Sequence, residues 1–205
     1  MNWLKQQGLI KTETPTSQFF CDAFPALLES EIGSPSQWIA THWQVYLTLG
    51  NQAAGEYLNK NQQHGAVFEL LVITLFYKLG LRPLFIQAKI TFVPNVHYDM
   101  ASYCKEFGPI AFSLKTSLRE RYKQADLEAI ALKYVHRKAK CYLITLQATE
   151  ALGVNKKIAS GEVIGLDEVV VATNPRFDEL CQQWQSMAWV KPDAVEILTG
   201  QWLVH

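Results

Sequence analysis

The chain has 205 residues, and its 19 lysines and arginines are balanced by 19 aspartates and glutamates, which disfavours a protein that holds nucleic acid through bulk positive charge. A chain of this length buries roughly 70% of its unfolded surface, so one domain with an ordinary core is expected. Its four widely separated cysteines lack the paired spacing of a zinc site and the density of a disulfide scaffold, and we expect reduced thiols.

Residues 1–60 carry three prolines and scattered aromatic residues, and we expect helices and loops packed on a central unit. An apolar run from Gly65 to Gly80 predicts a buried helix that ends at the glycine. The longest apolar stretch, residues 66–77, is interrupted by Glu69 and is too short to span a bilayer. No basic segment followed by an apolar run opens the chain. We therefore expect a cytoplasmic protein without a membrane partner.

Three strand-like runs follow, at residues 84–92, 95–103 and 109–115. A turn-like stretch containing Gly108 and Pro109 separates the last two, which predicts neighbouring antiparallel strands. Ser117 and Glu120 then form an S-x-x-E capping box, so a helix is expected to begin there. The apolar stripe predicted for that helix consists of Leu127, Ile130, Ala131 and Tyr134.

Residues 141–146 and 169–172 are further predicted strands, and residues 177–187 form a predicted helix. This order of elements predicts an α/β fold with a mixed central β-sheet flanked by helices. Within a single domain, we expect a helical N-terminal part at residues 1–60 packed on a core at residues 65–146. A C-terminal strand and helix would complete the domain at residues 147–205.

Positive charge is concentrated between Lys115 and Lys140, where eight basic residues outnumber three acidic ones. A locally basic segment on a neutral protein is suited to phosphate contact at one face. A charged helix exposed to solvent explains the same pattern. The charge pattern alone leaves both interpretations open.

Two acidic residues occupy positions that are unusual on structural grounds. Glu69 lies in a helix that is apolar almost all round, where an ionised carboxylate is costly unless it is paired, hydrogen-bonded or bound to a metal. Asp99 lies in a strand-like run, although aspartate is depleted from strands, and a carboxylate at a sheet edge suits magnesium. An ion pair for Glu69 and a turn position for Asp99 are the structural alternatives.

The run Phe112-Ser113-Leu114-Lys115-Thr116-Ser117 carries a third feature. Strand alternation places Ser113 and Lys115 on one face. A lysine there can orient water, help to deprotonate it and offset charge on a phosphoryl group. The structural alternative is an ordinary lysine at a strand end.

Together, Glu69, Asp99 and Ser113-Leu114-Lys115 resemble in order and context the catalytic pattern of the PD-(D/E)xK nuclease superfamily. The resemblance spans residues 65–146 and implies a restriction-endonuclease-like core. The proline that names the motif is absent, since Tyr98 precedes Asp99. Ser113 also stands where the superfamily usually has a second acid, which removes a metal ligand.

Some type II restriction enzymes of this superfamily have serine at that position and use a glutamate from the following helix. The run from Lys115 to Gln124 is similar to the Lys-Thr-x-x-(Lys/Arg)-(Asp/Glu)-Arg-(Trp/Tyr)-(Lys/Arg)-Gln run of such enzymes, with Glu128 beyond it. On a helix, Arg121, Gln124 and Glu128 share one face. A surface glutamate exposed to solvent is the alternative for Glu128.

The resemblance implies a type II restriction endonuclease that hydrolyses double-stranded DNA with Mg²⁺, with Mn²⁺ as a possible substitute. Asp99 with Glu69 or Glu128 would hold the metal, and Lys115 would act on the attacking water. A palindromic site would imply a homodimer. The implied phosphate contacts are Thr116, Ser117, Arg119, Arg121 and Lys123.

Two other functions remain open: a nuclease selective for branched or damaged DNA on the same core, and a non-catalytic nucleic-acid or protein-binding module in which Ser113 marks a decayed site. Base-reading residues are not fixed by the pattern. Asparagine and glutamine pair with adenine edges, although surface solubility explains exposed amides equally well. The candidate readers are Asn51, Gln52, Asn59, Asn61, Gln62 and Gln63.

Overall fold

The computed structural model describes residues 2–52, 60–93, 95–192, 198–199 and 202–204. Its helices are α1 (Trp3–Gln6), α2 (Pro15–Ala23), α3 (Pro35–Gln52), α4 (Lys60–Lys78), α5 (Arg121–Val135), α6 (Ala148–Ser160) and α7 (Pro175–Gln185). Its strands are β1 (Leu84–Ile90), β2 (Tyr98–Cys104), β3 (Gly108–Lys115), β4 (Lys140–Thr145), β5 (Glu168–Val171), β6 (Leu198–Thr199) and β7 (Trp202–Val204).

The strands form one mixed sheet in the order β5-β4-β3-β2-β1-β6, and β7 also pairs with β1. Strand β2 is antiparallel to both of its neighbours, β1 and β3, and the β2–β3 pairing is the one expected for two runs joined by a short turn. Strands β3, β4 and β5 are parallel, with α5 and α6 as the intervening helices. The predicted α/β fold with a mixed sheet flanked by helices is therefore confirmed.

Two hydrophobic clusters cover the two faces of the sheet. The first, here called the α4-side cluster, contains Leu71 and Leu75 of α4, Phe112 of β3 and Trp184 of α7. The second, the α5-side cluster, contains Leu132 of α5. Apolar burial on both faces explains why the central strands are almost continuously hydrophobic.

Helix α4 is the longest of the described helices and ends as the sequence predicts. Gly80 has a φ of +74°, which is unfavourable for residues with a Cβ atom. The amide of Leu81 donates to the carbonyl oxygen of Phe76 at 3.0 Å, which satisfies a carbonyl of the last turn. Within the described ranges, no helix is long and apolar enough to cross a membrane.

The predicted start of α5 is wrong. The helix begins at Arg121, and Ser117 lies in the preceding loop rather than in a capping box with Glu120. The buried Leu118 side chain anchors this loop, and its amide donates to Glu150 Oε2 of α6 at 2.6 Å. Glu120 instead forms an ion pair with Lys123. Contacts distant in sequence therefore delay the helix.

The apolar stripe predicted for α5 is also wrong. Leu127 is 67% exposed and Tyr134 85% exposed, while Ile130 and Ala131 are half-buried. The helix instead faces the sheet with small and aromatic residues, which allow its axis to approach closely. The buried residues of α5 are Tyr122, Ala125, Ala129 and Leu132.

The remaining elements agree with the sequence prediction, with two additions. Strands β4 and β5 and helix α7 lie within two residues of the predicted bounds. Helix α6 and the short strands β6 and β7 were not predicted. All four cysteines are free and buried, in agreement with the expected reduced thiols.

Candidate functional site

An ion pair between neighbouring strands forms the centre of the site. Lys115 Nζ lies 2.8 Å from Asp99 Oδ2, and the Leu114 amide donates to the same oxygen at 2.7 Å. The two charged side chains are 23% and 16% exposed, respectively. Because the pair is largely removed from water, its charges interact more strongly than those of a surface pair.

Glu69 of α4 lies within electrostatic reach of this pair. Burial, and after it the Asp99 carboxylate, raise the pKa of its carboxyl group, Lys115 opposes the shift, and the net pKa is about 7. Near pH 7 the group is therefore close to half-protonated. A carboxyl poised in this way can exchange a proton or accept a cation without a large energetic cost.

Glu128 approaches the pair from α5. Burial raises the pKa of its carboxyl group, a hydrogen bond from Gln124 Nε2 to Oε1 at 2.8 Å lowers it, and the charges of Lys115 and Asp99 act in opposite directions. Glu128 is half-buried rather than fully exposed to solvent. Two glutamates from two helices thus border one Asp–Lys pair.

A cleft of about 660 Å³ opens beside Glu69 and Lys115, and Gln124, the hydrogen-bond partner of Glu128, also lines it. One wall is α4, where Gly65 and Ala66 lie beside Glu69. The opposite wall is the end of β3 and the start of α5. The cleft is lined by Gln62, Gly65, Ala66, Glu69, Leu114, Lys115, Thr116, Arg121 and Gln124.

The five residues predicted to contact phosphate occupy different environments. Thr116 and Arg121 line the cleft, whereas Lys123 is ion-paired with Glu120. Arg119 is exposed in the loop before α5, with a φ of +41°. Thr116 and Ser117 lie in the loop before α5 and not at a helix N-terminus, so the amides of a first helical turn are not available for a phosphate contact at these residues.

The basic segment identified in the sequence is partly neutralised by acids from outside it. Asp99 pairs with Lys115, and Asp167 pairs with both Lys133 and Lys140 at 2.7 and 2.8 Å. Much of the predicted local charge therefore has a structural role. Among the cleft-lining residues, Lys115 and Arg121 remain as the cationic groups that face the site.

The donors at the cleft are chemically suited to a hard divalent cation. Asp99 raises the pKa of both Glu69 and Glu128, a repulsion between acids that a bound cation would relieve. Ser113 is half-buried on β3 and offers a hydroxyl where a carboxylate would bind more strongly. Within the described part of the chain, no three His, Cys, Asp or Glu side chains are already arranged to hold a metal ion.

Of the candidate base readers, the structure brings Gln62 to the cleft. Asn59 lies outside the described residues, as do the side chains of Asn51, Gln52 and Asn61, and Gln63 is half-buried. Glu150, which holds the loop before α5 through the Leu118 amide, was not among the predicted residues. A glutamate in the first turn of an unpredicted helix offers no signal for such a contact.

Comparison with solved structures supports the architecture. The restriction endonuclease PspGI, solved as a complex with its substrate DNA, matches 88% of this chain and 83% of its own with a TM-score of 0.57 and 15% sequence identity. The chain therefore has a restriction-endonuclease-like fold. No protein-family model matches it, and no curated protein is similar to it in sequence at a significant level.

Proposed function

We propose that this protein is a Mg²⁺-dependent endonuclease that cleaves double-stranded DNA at a specific sequence, as a type II restriction enzyme does. The observation that carries the proposal is the Asp99–Lys115 pair, which lies on adjacent strands beside Glu69 and Glu128 at an open cleft. The likeness to the PspGI–DNA complex supports DNA as the substrate class. A homodimer would present one such cleft to each strand.

The metal would be held by Asp99 together with Glu69 or Glu128. When bound, Mg²⁺ lowers the pKa of a coordinated water and neutralises charge on the phosphate oxygens, and Mn²⁺ offers the same oxygen-binding chemistry. Glu128 supplies the carboxylate that Ser113 lacks. Gln124 fixes the orientation of Glu128 through the hydrogen bond to Oε1.

Lys115 has the role of orienting the attacking water and stabilising the negative phosphoryl group. The attacking water loses a proton as its oxygen bonds to phosphorus, the bond between phosphorus and the leaving sugar oxygen breaks, and that sugar oxygen takes up a proton. Arg121 and Thr116, which line the cleft, would contact phosphates next to the reacting one. These contacts position the duplex without reading its sequence.

Cleavage of a mixed-sequence duplex tests the proposal directly. Wild-type protein with Mg²⁺ is expected to give discrete fragments, and excess EDTA is expected to abolish them. Cleavage confined to branched DNA would instead identify a structure-selective nuclease. If neither duplex nor branched DNA is cut with Mg²⁺ or Mn²⁺, a binding module with a decayed site becomes the better explanation.

Glu128→Gln tests whether this glutamate replaces the missing acid. The variant is expected to lower the cleavage rate by about 100-fold, because it removes a charge from the candidate ligand set. Glu120→Gln is the matched control, since Glu120 immediately precedes the same helix, is exposed and is paired with Lys123. Equal activity of the two variants in a single-turnover assay would remove Glu128 from the site.

A further inference from the structure

In strand β1, the alternation of side chains between the two faces of the sheet is interrupted at Gln87. Before this residue, Ile86 packs in the α4-side cluster; after it, Ala88 packs in the α5-side cluster. In a regular strand, residues two apart face the same side. Gln87 has a φ of +49°, in the left-handed region that residues with a Cβ atom rarely adopt. The left-handed residue thus interrupts the alternation.

Strand β2 changes sides at Asp99. Met100 belongs to the α4-side cluster, whereas Tyr98 belongs to the α5-side cluster, and its hydroxyl donates to the Glu128 carbonyl at 2.9 Å. The β1–β2 register pairs Ile86 with Met100 and Ala88 with Tyr98. In this register Gln87 lies opposite Asp99, so the alternation of side chains between the two faces of the sheet is interrupted in both strands at the same level, that of the candidate catalytic aspartate.

This interrupted alternation explains how the Asp99 carboxylate reaches the backbone of β3. The β2–β3 ladder runs from Cys104↔Gly108 to Met100↔Phe112. One residue beyond it, the Asp99 side chain accepts the Leu114 amide at 2.7 Å. The Asp99 carboxylate thus accepts a hydrogen bond from the backbone of β3, which fixes it beside Lys115.

Gln87 also adjoins the second acid of the site. A separate cavity of about 260 Å³ lies behind Glu69, and both Gln87 and Glu69 line it, together with Thr16 of α2. Gln87 therefore lines the same cavity as Glu69 and lies opposite Asp99 on the adjacent strand. Strained backbone at such a place is typical of residues that hold a functional group in position.

We propose that Gln87 is a positioning residue, whose left-handed backbone turns the β1–β2 pair so that the Asp99 carboxylate accepts a hydrogen bond from the Leu114 amide and is held beside Lys115 of the cleft wall. The catalytic part of this proposal rests on the proposed nuclease function; the structural part does not. A substitution that disfavours positive φ is expected to release the Asp99–Leu114 hydrogen bond. Glycine and asparagine, which tolerate positive φ, are expected to keep it.

Hydrogen exchange at the Leu114 amide, measured by NMR without metal or DNA, tests the structural part. Gln87→Val is expected to speed exchange about tenfold, because a β-branched residue at positive φ is unfavourable. Gln87→Ala is expected to act in the same direction more weakly, which keeps the test usable if the valine variant is unstable. Gln87→Gly and Gln87→Asn are expected to exchange within about twofold of wild type.

Phe92→Val is the matched control, since Phe92 also has positive φ (+65°) but is 78% exposed. It is expected to leave Leu114 exchange unchanged. If the Gln87→Val and Gln87→Ala proteins are folded and exchange Leu114 at the wild-type rate, the positioning role is overturned. Slower exchange in the wild type than in these variants supports it even if wild-type protein cuts no DNA, an outcome that would reject only the nuclease.

In an active enzyme, Gln87→Val is also expected to lower kcat about tenfold with little change in KM, because substrate contacts in the cleft remain while Asp99 is misplaced. Gln87→Asn is expected to restore kcat to within about threefold of wild type. A loss of kcat shared equally by the valine, glycine and asparagine variants would contradict a backbone role.

Discussion

Lys115→Met is expected to lower the rate of DNA cleavage by about 100- to 1,000-fold while changing DNA affinity little. Methionine keeps much of the length of the lysine stem but removes the ammonium group. In the structure that group is held 2.8 Å from Asp99 at the wall of the cleft. A group that acts on the attacking water and the charged transition state affects the chemical step more than binding.

Lys140→Met provides a closely matched control. Lys140 lies on the adjacent parallel strand and forms an ion pair with Asp167, also at 2.8 Å. Each substitution breaks an ion pair between a lysine on a strand and an aspartate, but Lys140 does not line the cleft. Single-turnover cleavage and DNA binding should be measured for both variants. If Lys115→Met cleaves as fast as Lys140→Met, Lys115 has no catalytic role.

Lys115→Met is also expected to change the pKa of the Glu69 carboxyl group. Lys115 lowers the pKa of Glu69, so its removal is expected to move that pKa above the wild-type value of about 7. Asp99→Asn is expected to move it in the opposite direction, because the Asp99 carboxylate repels the ionised form of Glu69. Opposite shifts in an NMR titration of the two variants would show that the three residues act as one electrostatic unit.

The parts of the fold that follow from local pattern are the parts the sequence predicts. Helix α4 is predictable because a long apolar run ends at Gly80, and the β2–β3 pair because a short turn, observed at residues 105–107, joins two strand-like runs. The order of these elements brings Asp99 and Lys115 onto adjacent strands. The proximity of these two side chains could therefore be expected from the sequence.

The features that the sequence does not predict depend on contacts distant in the chain. The start of α5 is decided by Leu118, which is buried and bound through its amide to Glu150 thirty-two residues later. The buried face of α5 is decided by how closely Ala125 and Ala129 can approach the sheet. A glutamine such as Gln87 carries no signal of left-handed backbone, which a sequence indicates by glycine or asparagine.

Glu69→Gln is expected to stabilise the metal-free protein above neutral pH, although it should reduce cleavage. Burial raises the pKa of Glu69 from an ordinary value of 4.5 to about 7. In this interval the folded chain binds the proton more tightly than the unfolded chain. Wild-type stability therefore falls as pH rises from about 4.5 to about 7, and the loss is complete above the folded pKa. Glutamine is neutral throughout and escapes the loss.

The expected difference in unfolding free energy between Glu69→Gln and wild type grows by about 3 kcal/mol between pH 4 and pH 8.5. Urea denaturation in EDTA at several pH values measures it, with Glu120→Gln as the control, because an ion pair with Lys123 lowers the pKa of Glu120. Mg²⁺ at pH 8.5 is expected to narrow the gap by binding the wild-type acids. If the difference in unfolding free energy does not depend on pH, the pKa of Glu69 is not raised in the folded protein. There would then be no repulsion between the Glu69 and Asp99 carboxylates for a cation to relieve.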